Sequence, residues 1–291
     1  MRPPYEALAL SSGCALGAYQ AGAMLCLAEG GFRFSRVAGT SIGILNGALY
    51  AAGDGSVASM QALCRTWLDP ALAALFRDVP SRVLGSALDP GPVRDFLQPR
   101  LDLGRLRSGD VKLIVTAVEA GPPLLDVALG AWKQPCYLSS RTLGEEELWQ
   151  AILGGIAHPL LMPPSSLGGR SLGDACLADP CPARHLYETG SRSLVSILLS
   201  DGHVQDRADF PGARVLRLRP ARSLDARSPL DYPATYLDFS AARIEGLLQA
   251  GYQDTRQSLV EAAGRARRLE DLRLNGDALE RLADQLPERE A

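Results

Sequence analysis

The chain has 291 residues, of which 46% are hydrophobic and 22% are charged, and its formal net charge is −3. This is the composition of a globular protein with ample apolar material for a large core. The acidic balance argues against the strongly basic surface that nucleic-acid binding requires, and the length fits one large α/β domain or two small ones.

The first fifty residues alternate between strands and helices. We predict a short buried strand at residues 7–10 and a helix at 19–29, which ends at a pair of glycines. A second strand at 36–38 and a helix at 42–52 follow. This order is typical of an α/β fold with a parallel sheet.

The rest of the chain continues the pattern without an internal repeat or a low-complexity linker. Further strands are predicted at 111–118, 194–199 and 213–218, and a loop rich in proline and glycine at 158–173. The predicted helices cover residues 57–76, 90–101, 148–156 and 240–268, followed by a charged helical tail over 269–291.

Residues 7–28 contain no charged side chain and are long enough to span a bilayer. They include three glycines and several polar residues, however, and the chain lacks the basic start and long apolar core of a secretory signal. We therefore expect a cytoplasmic protein without a signal peptide or transmembrane segment. The six cysteines form no C-x-x-C pair and, with three histidines, match no zinc spacing, so we expect reduced thiols.

The pentapeptide Gly39-Thr40-Ser41-Ile42-Gly43 lies between a predicted strand and a predicted helix. A G-x-S-x-G in this position is typical of a nucleophile elbow, because its glycines allow a sharp turn that exposes the serine. The N-terminus of the following helix favours developing negative charge. The pattern predicts a nucleophilic Ser41, and a simple turn or helix cap remains the alternative.

A run of small residues, LSSGCALGAYQAG at 10–22, follows the first strand. We weighed a lipoprotein processing site, a phosphate-binding loop and the anion-stabilising loop of an acyl hydrolase. The apolar segment before Cys14 is too short for lipoprotein processing. The run has no GK[ST], and its glycines do not follow the dinucleotide-binding spacing. Consecutive backbone N–H groups in such a loop can bind one anion, which favours the third interpretation.

The three histidines are weak candidates for a catalytic base. In an α/β-hydrolase the elbow follows several strands, and the acid and the histidine come later, whereas Ser41 here follows the second strand. We expect His158 to be a structural loop residue and His185 to lie at the surface of an arginine-rich helix; His203 is the third.

These motifs together resemble the patatin-like phospholipase family. The family's glycine loop falls on residues 12–17, its A-Y-x-x-G on 18–22, its elbow on 39–43, and its aspartate motif on Asp174-Ala175-Cys176. The resemblance covers about residues 5–260. The family uses a Ser–Asp dyad without a histidine, in keeping with the few histidines here.

The resemblance implies a three-layer α/β/α sandwich with a mostly parallel central sheet. It implies a single domain over residues 1–291, with a motif-bearing core at about 5–220 and a C-terminal helical part at about 221–291. It also implies a serine hydrolase that cleaves fatty-acyl esters, such as those of phospholipids or lysophospholipids, without a metal or organic cofactor.

By the same resemblance, Ser41 is the nucleophile and Asp174 the general base. The backbone amides of Gly13, Cys14 and Ala15 form the oxyanion hole, and the supporting motif glycines are Gly17, Gly39 and Gly43. A lipid or acyl-ester substrate implies transient contact with a membrane surface, for which we expect the apolar residues 160–162 to be available.

The chain departs from the family pattern at several positions. Ser12 and Cys14 replace two loop glycines, Leu16 replaces a basic residue, and the third motif reads D-A-C rather than D-G-[GA]. Two alternatives therefore stay open. One is a weakened or inactive patatin-like protein with a regulatory or binding role, and the other is an acyltransferase that uses the same dyad.

Two of these departures lead to a prediction about the cysteines. Because the glycine loop and the aspartate loop must both border Ser41, we predict that Cys14 and Cys176 lie close together and line the site. We expect alkylation or oxidation of these thiols to slow turnover. The alternative is that both are small buried fillers.

Overall fold

A computed structural model describes residues 5–76 and 88–283. These residues form a sheet of eight strands with helices packed on both faces, so the predicted three-layer α/β architecture is confirmed. The strands are β1 (Ala7–Leu10), β2 (Arg36–Thr40), β3 (Lys112–Glu119), β4 (Cys136–Ser139), β5 (Ser165–Leu167), β6 (Arg170–Asp174), β7 (Ser193–Ile197) and β8 (Arg214–Leu218).

The centre of the sheet is parallel and one end is antiparallel. Strands β3, β2, β1, β7 and β8 are parallel neighbours in that order, whereas β4, β6 and β5 are antiparallel additions beyond β3. Leu10 at the end of β1 pairs with Gly39 of β2. Because the two strands are parallel, the loop after β1 and the elbow after β2 emerge side by side at one edge.

The helices connect and cover these strands. They are α1 (Gly17–Glu29), α2 (Ile42–Ala52), α3 (Val57–Trp67), α4 (Pro70–Phe76), α5 (Pro90–Leu97), α6 (Leu103–Ser108), α7 (Pro123–Leu129), α8 (Glu145–Gly155), α9 (Ala183–Glu188), α10 (Tyr232–Tyr236) and α11 (Ala241–Ala283). Among residues 5–76 and 88–283, no helix combines the length and the apolar character needed to cross a membrane.

Two predicted elements differ from the structure. The helix predicted at 57–76 is interrupted before Pro70, because proline disfavours helical geometry in the residue that precedes it. The loop predicted at 158–173 contains the β5–β6 hairpin, which turns at Gly168 and Gly169 with φ of 57° and 80°. Strands this short leave little periodicity to detect.

The long C-terminal helix is predicted correctly in type, but it is a single element that continues to Ala283. The end of the predicted tail, residues 284–291, lies outside the described part of the chain. Strand β4 and helices α6, α7 and α10 have no counterpart among the predicted elements.

Helices α1 and α11 cross at backbone contact distance through two glycines. A Cβ atom at Gly22 would lie 2.0 Å from the carbonyl oxygen of Leu248, and one at Gly251 would lie 2.0 Å from that of Tyr19. The Tyr19 hydroxyl donates to Asp254 Oδ2 at 3.2 Å, which ties the same two helices together. The A-Y-x-x-G motif therefore docks the C-terminal helix onto the helix that follows the glycine loop.

Candidate active site

Ser41 occupies a sharp turn between β2 and α2, with φ of 55° and ψ of −127°. The flanking glycines make this turn sterically possible. A Cβ atom at Gly39 would lie 2.3 Å from the carbonyl oxygen of Gly43, and one at Gly43 would lie 2.4 Å from that of Leu10. Any larger residue would press its Cβ atom against these backbone atoms, so the predicted elbow requires glycine at both positions.

Asp174 is the last residue of β6, and its side chain is only 4% exposed. Its backbone N–H donates to Ala157 at 3.1 Å, and Oδ1 accepts the N–H of Cys176 at 2.8 Å. Burial raises the pKa of this carboxyl group to about 6, even though hydrogen bonding with Ser41 and Cys176 works in the opposite direction. A carboxylate with such a pKa is ionised at neutral pH and remains basic enough to accept a proton.

The structure brings Ser41 and Asp174 together, as predicted. The serine hydroxyl is close enough to lower the pKa of the carboxyl group. The second carboxylate oxygen, Oδ2, is nevertheless buried without a hydrogen-bond partner of good geometry among the described residues. The Ser41–Asp174 contact is therefore looser than a full hydrogen bond.

The glycine loop, residues 12–17, lies beside the elbow. The Ser12 N–H donates to Pro180 at 2.9 Å, which fixes the loop to the segment after Asp174. Within the described residues, the amides of Gly13, Cys14 and Ala15 have no hydrogen-bond acceptor. Gly13 and Cys14 line the same cavity as Ser41, whereas Ala15 is fully buried and does not. Two of the three residues predicted to donate to an oxyanion therefore line the same cavity as Ser41.

A buried polar network supports this loop from behind. Gln20 donates to the carbonyl of Ser11 at 2.8 Å, and Asn46 donates to that of Gly17 at 2.9 Å. Asn46 also donates to the Gln20 side chain and accepts the Trp67 indole N–H, each at 2.9 Å. Because α1, α2 and α3 each contribute one member, these bonds hold the glycine loop at a fixed position relative to the elbow.

Two cavities meet at Ser41 and share Cys14, Ser41 and His158. One is an apolar slot, and the other is a recess with a larger share of polar groups in its lining. Besides the shared residues, the slot is lined by Ile42, Leu45, Leu72, Leu75, Phe76, Leu88, Val93, Phe96, Leu97, Ile156, Leu161, Met162, Leu237 and Phe239. The recess is lined by Ser12, Gly13, Leu16, Cys176, Leu177, Leu199, Ser200, His203, Tyr232 and Tyr236.

Comparison with known families decides the assignment of the fold. A model of the patatin-like phospholipase family matches residues 8–187, which is more than half of the chain. The chain belongs to this family. A search of solved structures finds the crystal structure of VipD from Legionella pneumophila, with 14% identity and a TM-score of 0.47. That match covers 89% of this chain and 67% of the VipD chain.

The patatin-like match ends at residue 187, yet the C-terminal part of the chain also contributes to the cavities. Tyr232 and Tyr236 line the recess, and Phe239 lines the slot. Phe239 stacks on Phe76 with a ring separation of 4.0 Å, which closes one side of the slot. Sequence reasoning missed these residues. The only signal was that the family resemblance extends over about residues 5–260, which carries no information about cavities.

His158 lies in the loop after α8, where it forms local hydrogen bonds as expected of a structural loop residue, and it also lies at the site. It lines both cavities, and burial lowers its pKa to about 4. Nδ1 accepts the N–H of Leu160 at 3.3 Å, so a neutral imidazole carries its proton on Nε2. His203 also borders the recess, whereas His185 stacks on Tyr137 at 3.8 Å and lines neither cavity.

The expected availability of residues 160–162 for membrane contact is contradicted for two of the three residues. Leu161 and Met162 are only 7% and 5% exposed, and both line the slot. Their backbone N–H groups are held by the carbonyl of His158, which turns the two side chains inward. These residues are therefore suited to contact bound ligand rather than a surface.

The predicted proximity of Cys14 and Cys176 is confirmed, since both line the recess and each lies within electrostatic range of Asp174. Burial, followed by the charge of Asp174, raises the pKa of Cys14 to about 12, and the pKa of Cys176 is also raised. Little thiolate is present at neutral pH, so we expect alkylation of both cysteines to be slow.

Metal ligands are not grouped in the part of the chain that the structure covers. No three His, Cys, Asp or Glu side chains there are arranged to hold an ion. We therefore assign no metal ligand among these residues, and the catalytic roles of Ser41 and Asp174 remain predictions.

Proposed function

We propose that this protein hydrolyses fatty-acyl esters through a Ser41–Asp174 dyad. The observation that carries the proposal is the position of Ser41. It lies on a strained turn at a helix N-terminus, beside a buried carboxylate, where an apolar slot meets a recess that is richer in polar groups. An ester with one apolar arm and one polar arm would place its carbonyl group at this junction.

In the first half of the reaction, Ser41 Oγ attacks the carbonyl carbon while Asp174 takes the hydroxyl proton. The free amides of Gly13 and Cys14 donate to the oxyanion, with Ala15 as the third predicted donor. The tetrahedral intermediate then collapses, and Asp174 returns the proton to the departing alcohol. The acyl group remains on Ser41.

In the second half, Asp174 takes a proton from a water molecule that attacks the acyl-enzyme. Collapse of the second intermediate releases the fatty acid, and the proton on Asp174 returns to Ser41. The acyl chain occupies the apolar slot throughout, while the alcohol leaves through the recess. Burial of Asp174 supports both halves because it raises the basicity of the carboxylate.

The altered glycine loop does not by itself argue for an inactive protein. The conformation of Cys14, with φ of 48°, leaves its amide free of protein acceptors in the described part of the chain. Leu16 is fully buried, so a basic residue at that position would need a different surrounding. We therefore keep a catalytic role as the proposal and test it against the regulatory alternative.

The experiment measures hydrolysis of p-nitrophenyl esters, from acetyl to palmitoyl, by the wild type and by Ser41→Ala and Asp174→Ala. We expect each variant to lose activity by at least about 10³-fold. Ser196→Ala is the matched control, since this serine is equally buried but lies on β7 and lines neither cavity. A reactive phosphonate should label the wild type at Ser41.

A folded wild type that neither cleaves these esters nor reacts with the phosphonate would contradict the proposal in favour of a regulatory or binding protein. Labelling at Ser41 with acyl transfer to an added alcohol in preference to water would indicate an acyltransferase. A length profile that rises towards long chains would identify a lipid hydrolase, and one that falls would identify a short-chain esterase.

A further inference from the structure

Residues 120–132 carry their apolar side chains outward. Helix α7 and the turn Gly130–Trp132 expose large hydrophobic groups to solvent, and Leu124 and Trp132 are 79% and 75% exposed. Burying such groups is strongly favourable, so a contiguous exposed set indicates a contact surface. With one further residue from the aspartate loop, this set, here named the apolar shelf, consists of Leu124, Leu125, Val127, Leu129, Trp132 and Leu177.

The polar side of this segment faces inward. Asp126 is the only charged residue in 120–132, and it is 6% exposed. It forms an ion pair with Lys133 and accepts the N–H of Gly121 at 2.9 Å. Lys133 in turn donates to the carbonyl of Glu119 at 2.6 Å. The helix is therefore inverted relative to an ordinary surface helix, with its charge neutralised inside and its leucines in solvent.

The shelf is continuous with the mouth of the recess through one residue. Leu177 is 44% exposed and lines the recess that contains Ser41. It also packs on the shelf, because a Cβ atom at Gly130 would lie 2.7 Å from Leu177 Cδ1. A molecule leaving an apolar layer in contact with the shelf would meet the recess without crossing a polar surface.

We infer that the apolar shelf inserts into the surface of a phospholipid layer and places the recess at that surface. The inference rests on the proposed function, since an acyl-ester substrate is what such a layer supplies. A tryptophan at the rim of a leucine cluster is suited to the boundary between acyl chains and headgroups. A protein partner bound at the same place would cover the mouth through which the substrate must enter.

The lack of charge on the shelf specifies which kind of lipid surface it binds. Because the shelf carries no free charge, its binding depends on apolar insertion and not on attraction to anionic lipids. We therefore expect the full chain to bind phosphatidylcholine vesicles. Added anionic lipid and added salt should change the binding little.

The experiment measures flotation of the full chain with phosphatidylcholine vesicles, in the Ser41→Ala background so that no substrate is consumed. We expect the shelf variant Leu124→Ser/Trp132→Ser to bind at least about tenfold more weakly. The control variant Leu68→Ser/Val260→Ser removes two exposed apolar side chains outside the shelf and should bind like its parent. Thermal unfolding of both variants checks that they remain folded.

Several outcomes would overturn the inference. The shelf variant could bind as well as the control, or the parent could bind only when anionic lipid is present and release in salt. Gel filtration could show a dimer that the shelf variant dissociates while vesicle binding is unchanged, in which case a second copy of the chain covers the shelf. Each result would mean either that the protein binds vesicles by another route or that the shelf binds something other than a neutral lipid surface.

The failure of this inference can be distinguished from failure of the proposed function. Flotation in the Ser41→Ala background requires no turnover, and hydrolysis of a dissolved short-chain ester requires no lipid layer. Vesicle binding in the Ser41→Ala background, together with no hydrolysis of the dissolved ester by the protein with Ser41 intact, would contradict the dyad and support the shelf. Hydrolysis of the dissolved ester without binding to vesicles would keep the dyad and contradict the shelf.

Discussion

The elbow and the glycine loop lie side by side after β2 and β1, and they tolerate sequence change very differently. The elbow keeps both family glycines, and the structure shows that each faces backbone atoms within 2.4 Å of where a Cβ would be. The loop has lost two family glycines, to Ser12 and Cys14. Its remaining constraint at Cys14 is the left-handed torsion, with φ of 48°.

The comparison indicates that a catalytic turn requires glycine where a Cβ atom would meet backbone. A clash with backbone cannot be relieved by a rotamer change, whereas a positive φ costs a non-glycine residue only about 1–2 kcal/mol. The amides that would bind an oxyanion belong to the backbone, so the side chain at Cys14 can vary as long as that torsion persists. Substitutions at Gly43, Asp174 and Cys14 test this contrast.

The largest effect is expected at the elbow, for Gly43→Ala. Its new methyl group would meet the carbonyl oxygen of Leu10 at 2.4 Å, and this oxygen belongs to the backbone at the centre of the fold. We expect a loss of about 3 kcal/mol in the free energy of unfolding, measured by chemical denaturation, together with loss of any reactivity at Ser41.

Gly246→Ala is the matched control for that substitution. A Cβ at Gly246 would meet open space on the exposed side of α11, so we expect a gain of about 0.5–1 kcal/mol from helix propensity. If Gly43→Ala unfolds at the same denaturant concentration as the wild type, backbone contact is not what preserves the elbow glycines.

An effect that depends on pH is expected at Asp174, which faces both regions. Burial raises its pKa from the usual value to about 6, so the folded state resists ionisation. Below about pH 4 the carboxyl is protonated in both states and has no effect on stability. As the pH rises through the folded pKa, the wild type loses up to about 3 kcal/mol that Asp174→Asn retains.

Thermal unfolding across pH measures this difference. Asp174→Asn should match the wild type near about pH 4 and exceed it in stability at about pH 8. The rate of ester hydrolysis should follow the same titration, with kcat/KM falling about tenfold per pH unit below the pKa of the dyad. Equal stability of the two proteins at all pH values would show that the carboxylate is not destabilised by its surroundings.

Much of this site could be predicted from local sequence. The elbow could be predicted because two glycines at fixed spacing around a serine, between a strand and a helix, indicate a sharp turn. Asp174 carries no such local signal: it follows short strands in a segment rich in glycine and proline, and only the family resemblance identified it. Its neighbours in the fold, Ala117 and Ala157, are distant in sequence.

The cavities and the shelf could not be predicted, for a related reason. The slot joins α4 and α5 to residues 237–239, and no periodicity links segments so far apart. Residue type also fails to predict burial, because Leu161 is buried whereas Leu124 is exposed. Helix α7 reverses the usual pattern, so a rule that places leucines inside misreads it.

The smallest effect is expected at Cys14, where two substitutions separate torsional strain from packing. Cys14→Ala and Cys14→Gly both remove the thiol, which packs near Leu161 and Leu237. They differ only in the Cβ that φ of 48° disfavours. We therefore expect the glycine variant to be the more stable by about 1 kcal/mol, the reverse of the order at Gly246. Chemical denaturation of the pair measures the difference directly. An alanine variant as stable as the glycine variant would mean that the loop is held by contacts, like the elbow.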